Sequence, residues 1–171
     1  IYRLARKSTS CIGSGSGGGG GGGASPAPSK TISFYPTSGD GFIYSDNLNW
    51  DLAHDATKGS AANHARTTFG VNTGKVSSKY RLQRGFISFD TTSLPDNATI
   101  SDAKLKVFVE SKVNDDNDGT DFVTITESTV PSTSTLAGAD FDLAGAINNP
   151  TEGVDIVERK DITNVAVNSY L

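Results

Sequence analysis

Several residue types are scarce in this chain, and each scarcity excludes a class of protein. Cys11 is the only cysteine among 171 residues, so an internal disulfide is excluded. No run of about 18 apolar residues occurs, which excludes a membrane-spanning helix, and no signal-peptide core is present. Methionine is absent and the chain starts at Ile1. We therefore expect a processed product or a fragment of a longer protein.

Acidic residues are missing from the first thirty positions, which form a basic segment of low complexity. Residues 1–30 have a net charge of +4, whereas residues 31–171 have a net charge of −8. Nine of the 19 glycines lie between Gly13 and Gly23. Such a tract is flexible because each glycine keeps wide backbone freedom, and the lysine of a phosphate-binding P-loop is lacking. The sequence predicts a flexible linker over 1–30 and one acidic domain over 31–171, whose charge argues against a nucleic-acid partner.

The acidic domain is patterned as β-strands. Polar and apolar residues alternate over 84–90, 104–110 and 122–126, and a period of two with one apolar face indicates a half-buried strand. Turn-forming clusters separate these segments from shorter candidate strands. Many short strands with such punctuation are typical of an antiparallel β-sandwich. We expect short helices only within 47–57 and 136–146.

One segment carries a motif that is more specific than its periodicity. From residue 84 the chain reads RGFISFDTTSLP, and it continues with ATI and AKLKV. We expect Ile100 to begin a strand there, with its apolar side chain inward. The pattern over 84–110 resembles the DNRLRE-type jelly-roll modules of bacterial and viral surface proteins, which are similar to a carbohydrate-binding module family, although the DNRLRE string is absent. The resemblance implies a jelly-roll β-sandwich with a further strand beyond Leu171, so we expect the C-terminal strand to be missing.

Trp50 is the first candidate for a ligand-binding residue, because an aromatic face can stack on a sugar ring. Its neighbours Asn49 and Asp51 offer polar groups to sugar hydroxyls. Three tyrosines are further candidates: Tyr35, Tyr44 and Tyr80. The alternative is that Trp50 anchors the core of the sandwich, and residue type alone favours this alternative.

Two arginines, Arg81 and Arg84, flank the start of a predicted strand. A guanidinium group binds a carboxylate through two parallel hydrogen bonds, so both are candidates for contacts with acidic sugars. Pairing with carboxylates on the protein surface is the alternative, and the sequence leaves both open.

An acidic loop is the candidate metal site. Asn114, Asp116 and Asp118 stand two residues apart and are followed by a glycine, as at the start of an EF-hand loop. Ile125 occupies the position of the closing glutamate, so a complete EF-hand is excluded. We expect a looser structural Ca²⁺ site that Asp121 or a remote carboxylate completes, with a solvated turn as the alternative.

No catalytic arrangement rises above chance, since the sequence has neither an HExxH pair nor a GxSxG elbow. The sequence therefore predicts a non-catalytic module that binds a polysaccharide or a cell-surface glycan. We expect this module to be part of a larger multidomain protein at an extracellular or virion surface. The first alternative is a structural or attachment module without a sugar site, as in adhesins and phage tail fibres. A polysaccharide hydrolase ranks last. The exposure of Trp50 distinguishes the first two hypotheses, because a sugar-binding module needs this side chain at the surface.

Overall fold

The computed structural model describes residues 2–5, 9–13, 30–64, 68–114, 119–126, 128, 134–143 and 157–171. Twelve strands occur in these ranges: β1 (Tyr2–Ala5), β2 (Thr9–Gly13), β3 (Lys30–Phe34), β4 (Gly41–Asn47), β5 (Ala61–His64), β6 (Thr68–Val76), β7 (Lys79–Phe86), β8 (Asp102–Lys104), β9 (Phe108–Lys112), β10 (Phe122–Ile125), β11 (Val157–Asp161) and β12 (Ser169–Tyr170). The helical elements are a short α-helix, α1 (Trp50–His54), and a 3-10 helix, η1 (Gly138–Leu143). None of the helices described is long and apolar enough to cross a membrane.

Seven strands form the main sheet, in the order β12–β9–β1–β6–β7–β4–β5. Every pairing in this sheet is antiparallel. Strands β4 and β7 pair continuously from Gly41 opposite Phe86 to Asn47 opposite Tyr80. Because residues directly opposite each other share a face and successive residues alternate, this register decides which side chains of β4 and β7 meet.

Two smaller antiparallel sheets complete the described strands. One has the order β3–β2–β8, and the other is the two-stranded ribbon β10–β11. An isolated antiparallel bridge joins Pro36 to Phe89. The prediction of a strand-rich, antiparallel protein is confirmed.

The first two strands come from the segment that the sequence analysis interprets as a linker. Strand β1 lies between β9 and β6 in the main sheet, and β2 lies between β3 and β8. Strand-forming backbone is thus found on both sides of the expected boundary near Lys30. The basic charge and the glycines of this segment hid a short alternation in which Tyr2 and Leu4 flank Arg3. Residues 14–29, which include most of the glycine tract, lie outside the described residues.

The predicted elements are present in part and with shifted bounds. Of the strand expected over 84–90, only residues 84–86 belong to a described strand, the end of β7. The expected strand at 104–110 is divided between β8 and β9, and β8 begins at Asp102. Ile100 is 52% exposed, so the prediction that it begins a strand with its side chain inward is wrong. The two segments expected to contain helices, 47–57 and 136–146, contain α1 and η1.

The buried apolar side chains form two clusters. The first contains Ile43, Phe86, Leu136 and Phe141. It joins β4, β7 and η1, and Phe141 is fully buried at its centre. The second cluster contains Phe69, Val107 and Val109.

Candidate functional site

Trp50 is the first residue of α1, and the local sequence explains why a helix begins there. The side-chain oxygen of Asn49 accepts a hydrogen bond from the Leu52 backbone N–H at 3.3 Å, which is the usual role of an N-cap residue. The carboxylate of Asp51 lies in the first turn, where the helix dipole favours negative charge. The amide oxygen of Asn49 is therefore used by the helix, whereas Asp51 is exposed.

Trp50 lies at the surface and belongs to neither buried cluster. It is 37% exposed, so the alternative in which it anchors the core is wrong. Its ring centroid lies 5.7 Å from that of His54, with the ring planes tilted by 33°. On another side its centroid lies 6.0 Å from that of Tyr80, with the planes at 74°. These two neighbours hold the indole in place and leave part of it open to solvent.

The β6–β7 register brings a lysine next to this pair of rings. Lys75 lies directly opposite Tyr80, and its Nζ lies 4.8 Å from the centroid of the Tyr80 ring, within the range of a cation–π contact. We call Trp50, Tyr80, His54 and Lys75 the aromatic corner. Asn47 of β4 lies directly opposite Tyr80 of β7. Strands β4, β6 and β7 and helix α1 therefore meet at this point.

The other predicted aromatic residue, Tyr44, lies on the opposite face of the sheet from Tyr80. Tyr80 is opposite Asn47, whereas Arg81 is opposite Asp46, and successive residues of a strand point to opposite faces. Tyr44 shares the face of Asp46, because these two residues are two positions apart. The residues predicted to bind a sugar are therefore not brought together in one site.

Arg81 is engaged in a bidentate ion pair. Its Nε and Nη2 donate hydrogen bonds to the two carboxylate oxygens of Asp46, at 2.7 Å and 2.6 Å. The guanidinium carbon lies 4.0 Å from the centroid of the Tyr44 ring. The hydrogen bond from Arg81 holds the pKa of Asp46 below its ordinary value, and the same bond raises the pKa of Arg81. Of the two hypotheses for this arginine, pairing with a carboxylate is the one observed.

Arg84 fastens η1 to the main sheet. Its Nη1 donates a hydrogen bond to the backbone oxygen of Phe141 at 2.6 Å, and the guanidinium carbon lies 4.1 Å from the centroid of the Phe141 ring. Burial lowers the pKa of Arg84, while the charges of Asp142 and Asp55 act in the opposite direction. This arginine therefore contacts the first buried cluster.

The two ends of the acidic loop meet. The side-chain N–H of Asn114 donates a hydrogen bond to Asp121 at 2.8 Å, and the Asp121 backbone N–H donates to the hydroxyl of Thr163, also at 2.8 Å. The other two predicted ligands, Asp116 and Asp118, lie outside the described residues. In the part of the chain that is described, no group of three histidine, cysteine, aspartate or glutamate side chains is arranged to hold a metal ion.

Two members of the aromatic corner were not singled out as ligand-binding residues from the sequence. His54 follows Trp50 by four positions, which is the spacing that places two side chains on one face of a helix. The sequence contains this signal, but a helix of five residues is too short for a helical period to show which residues share a face. Lys75 meets Tyr80 across the tight β6–β7 hairpin, in which Val76 is opposite Lys79, so the two residues of the turn were the local signal for this contact.

Comparisons with protein-family models, with curated proteins and with solved structures find no match to this chain. The resemblance of residues 84–110 to DNRLRE-type modules therefore stays a prediction.

Proposed function

We propose that this chain is a non-catalytic carbohydrate-binding module in which Trp50 stacks on a sugar ring. The observation that carries the proposal is the position of the chain's single tryptophan at the surface, supported by Tyr80 and His54 rather than enclosed in a core. A large aromatic side chain that is held in place and partly open to solvent presents an apolar face to the C–H groups of a saccharide.

Polar groups surround this face, as sugar hydroxyls require. The carboxylate of Asp51 is exposed beside Trp50. Nδ1 of His54, whose ring lies near that of Trp50, is 2.6 Å from Oδ1 of Asp55. The ammonium group of Lys75 lies over Tyr80. Donors and acceptors are thus available at the rim of the aromatic corner.

Three described aspartates have a pKa held below its ordinary value by hydrogen bonds: Asp46, Asp90 and Asp161. A general acid in glycoside hydrolysis needs a raised pKa instead. These three carboxyl groups are therefore not candidates for that role.

We extend the proposal to the architecture and setting of the module. The antiparallel sheets and the two buried clusters are compatible with a jelly-roll β-sandwich. Residues 14–29 are rich in glycine and proline, but they connect β2 to β3, which pair with each other, so they join two strands of one sheet and are not a tether between modules. The module is proposed to act within a larger protein at an extracellular or virion surface.

An attachment module that contacts a protein partner is the second candidate function. Leu48 and Leu52 favour it, because they are 70% and 62% exposed on either side of Trp50. Exposed aliphatic side chains are typical of protein–protein contacts, whereas a sugar ring gains little from them.

A glycan array probed with the full chain tests the sugar-binding proposal. We expect the wild type to bind at least one glycan and Trp50→Ala to lose that binding. The matched control is Tyr35→Ala, which removes another exposed aromatic ring (63% exposed) on a segment that follows β3 and should leave the binding unchanged. Absence of binding by a folded wild type, or equal binding by Trp50→Ala, would contradict the proposal and favour the attachment module.

Melting temperatures measured in Ca²⁺, in Mg²⁺ and in EDTA test the proposed structural calcium site. The contact between Asn114 and Asp121 closes the acidic loop, and oxygen ligands from such a loop suit Ca²⁺. We expect Ca²⁺ to raise the melting temperature of the wild type more than Mg²⁺ does, and Asp121→Ala to lose this difference. Equal melting temperatures in Ca²⁺ and EDTA would remove the ion from the proposal without affecting sugar binding.

A further inference from the structure

We infer that the aromatic corner accepts a single sugar residue of a soluble glycan, with Tyr80 as its second wall, and does not bind the flat surface of an insoluble polysaccharide. This inference rests on the proposed function, since it specifies the ligand of the same site.

The angle between the two rings excludes a flat platform. Trp50 and Tyr80 meet at 74°, with their centroids 6.0 Å apart. Two rings that bind neighbouring sugars of an extended, flat chain must present roughly parallel faces, because each sugar offers its C–H face on the same side of the chain. Here a sugar that stacks on Trp50 cannot also lie flat on Tyr80, because the ring planes are at 74°, so the pair offers a stacking face to one residue.

Two further side chains contact the aromatic pair. His54 packs beside Trp50 and is held by its contact with Asp55. Lys75 covers the ring of Tyr80 at 4.8 Å. Because Lys75 lies over one face of Tyr80, that face does not offer a second sugar residue a stacking surface.

Among the described residues, Tyr80 and His54 are the only rings in contact with Trp50. The other exposed aromatic side chains belong to different parts of the fold: Tyr35, Phe122 and Tyr170. The first follows β3 in the three-stranded sheet, the second lies in β10 of the two-stranded ribbon, and the third lies in β12 at the far edge of the main sheet. Tyr44 is on the opposite face and carries the Arg81 guanidinium. Stacking energy is thus available for one sugar residue only.

Calorimetric titration with gluco-, manno- and xylo-oligosaccharides of one to six residues tests this inference. For the series that binds, we expect the Kd to stay within about threefold from the disaccharide to the hexasaccharide, because added residues gain no stacking contact. We also expect no retention of the chain on crystalline cellulose or on insoluble chitin. A Kd that falls more than about tenfold as the glycan lengthens, or retention on either solid, would overturn the inference.

Variants of Tyr80 test its role as the second wall. Tyr80→Ala should weaken binding about tenfold, whereas Tyr80→Phe keeps the ring and should bind within about twofold of the wild type. Tyr170→Ala is the control for the loss of an exposed tyrosine elsewhere. If Tyr80→Ala unfolds, as circular dichroism would show, Tyr80→Leu replaces it. Equal affinity of the folded Tyr80→Ala or Tyr80→Leu variant and the wild type would overturn the role of Tyr80.

The outcomes keep this inference separate from the proposed function. Absence of binding to every saccharide would contradict the proposed function itself. Binding through Trp50 with an affinity that grows with chain length would leave the proposed function intact and overturn only the single-residue site.

Discussion

At the scale of single residues, strand alternation decides which polar side chains a ligand can reach. Tyr80 and Arg81 are neighbours in sequence, yet Tyr80 stands beside Trp50 whereas Arg81 is paired with Asp46 on the opposite face. The residue types that suit sugar recognition were readable from the sequence. The opposite faces of Tyr80 and Arg81 follow from strand alternation alone. Their cross-strand partners, Asn47 and Asp46, were not predictable, because they depend on the register of β4 against β7.

The ion pair between Asp46 and Arg81 predicts a specific dependence of stability on pH. The folded-state pKa of Asp46 lies below the ordinary value of 3.8, so the pair contributes stability that is present above that pH and is lost as the pH falls through the folded-state pKa. We expect Asp46→Asn to lower the free energy of unfolding at neutral pH by about 1 kcal/mol, since the pair is partly exposed to solvent.

Urea unfolding of the two proteins between neutral and strongly acidic pH measures this dependence. The difference between wild type and Asp46→Asn should shrink as the pH falls below 3.8. Asp96→Asn removes an exposed carboxylate from a turn and serves as the control. A difference that stays constant down to low pH would show that the ion pair is not its source.

At the scale of secondary structure, the antiparallel edge formed by β4 and β5 requires glycine at its start. A Cβ atom added to Gly41 would lie 2.0 Å from the backbone oxygen of Asn63, and a backbone atom in a paired strand has little freedom to move. Gly41→Ala should therefore cost about 1–3 kcal/mol of the free energy of unfolding.

Denaturant unfolding checks this cost, with hydrogen exchange at β4 and β5 as a local readout. We expect faster exchange in β5 of Gly41→Ala, because the added methyl group separates the two strands. Ser38→Ala, in the exposed turn before β4, is the control. A cost below about 0.5 kcal/mol, within the usual range of surface substitutions, would argue against the described pairing of β4 with β5.

Secondary structure could be predicted where apolar residues recur on one face of a strand or helix. It could not be predicted where a basic, glycine-rich composition masks a short repeat. The alternation over 122–126 corresponds to β10, and the two weakly periodic segments contain α1 and η1. Strand β1 was missed because four residues with one charge offer too short a repeat against a basic, glycine-rich background. The motif over 84–110 predicts that the side chain of Ile100 points inward at the start of a strand. Strand β8 begins two residues later, at Asp102.

At the scale of the whole molecule, the sequence correctly predicted an antiparallel β protein. It did not predict the order of the strands in the sheets. The order of the main sheet places β1 between β9 and β6, so its neighbours are far apart in sequence. Such long-range pairings are set by total burial rather than by local preference. The aromatic corner has the same origin, since it needs α1, β6 and β7 together.

The central claim is that the single tryptophan is the ligand-contacting residue, and its intrinsic fluorescence tests this claim directly. Because Trp50 is the only tryptophan in the chain, emission and its quenching by acrylamide report this side chain alone. We predict measurable quenching of the unliganded chain, then a blue shift and reduced quenching on titration with a glycan that the array identifies. A glycan that binds without changing the emission or its quenching would contradict the account, because Trp50 would then lie outside the site.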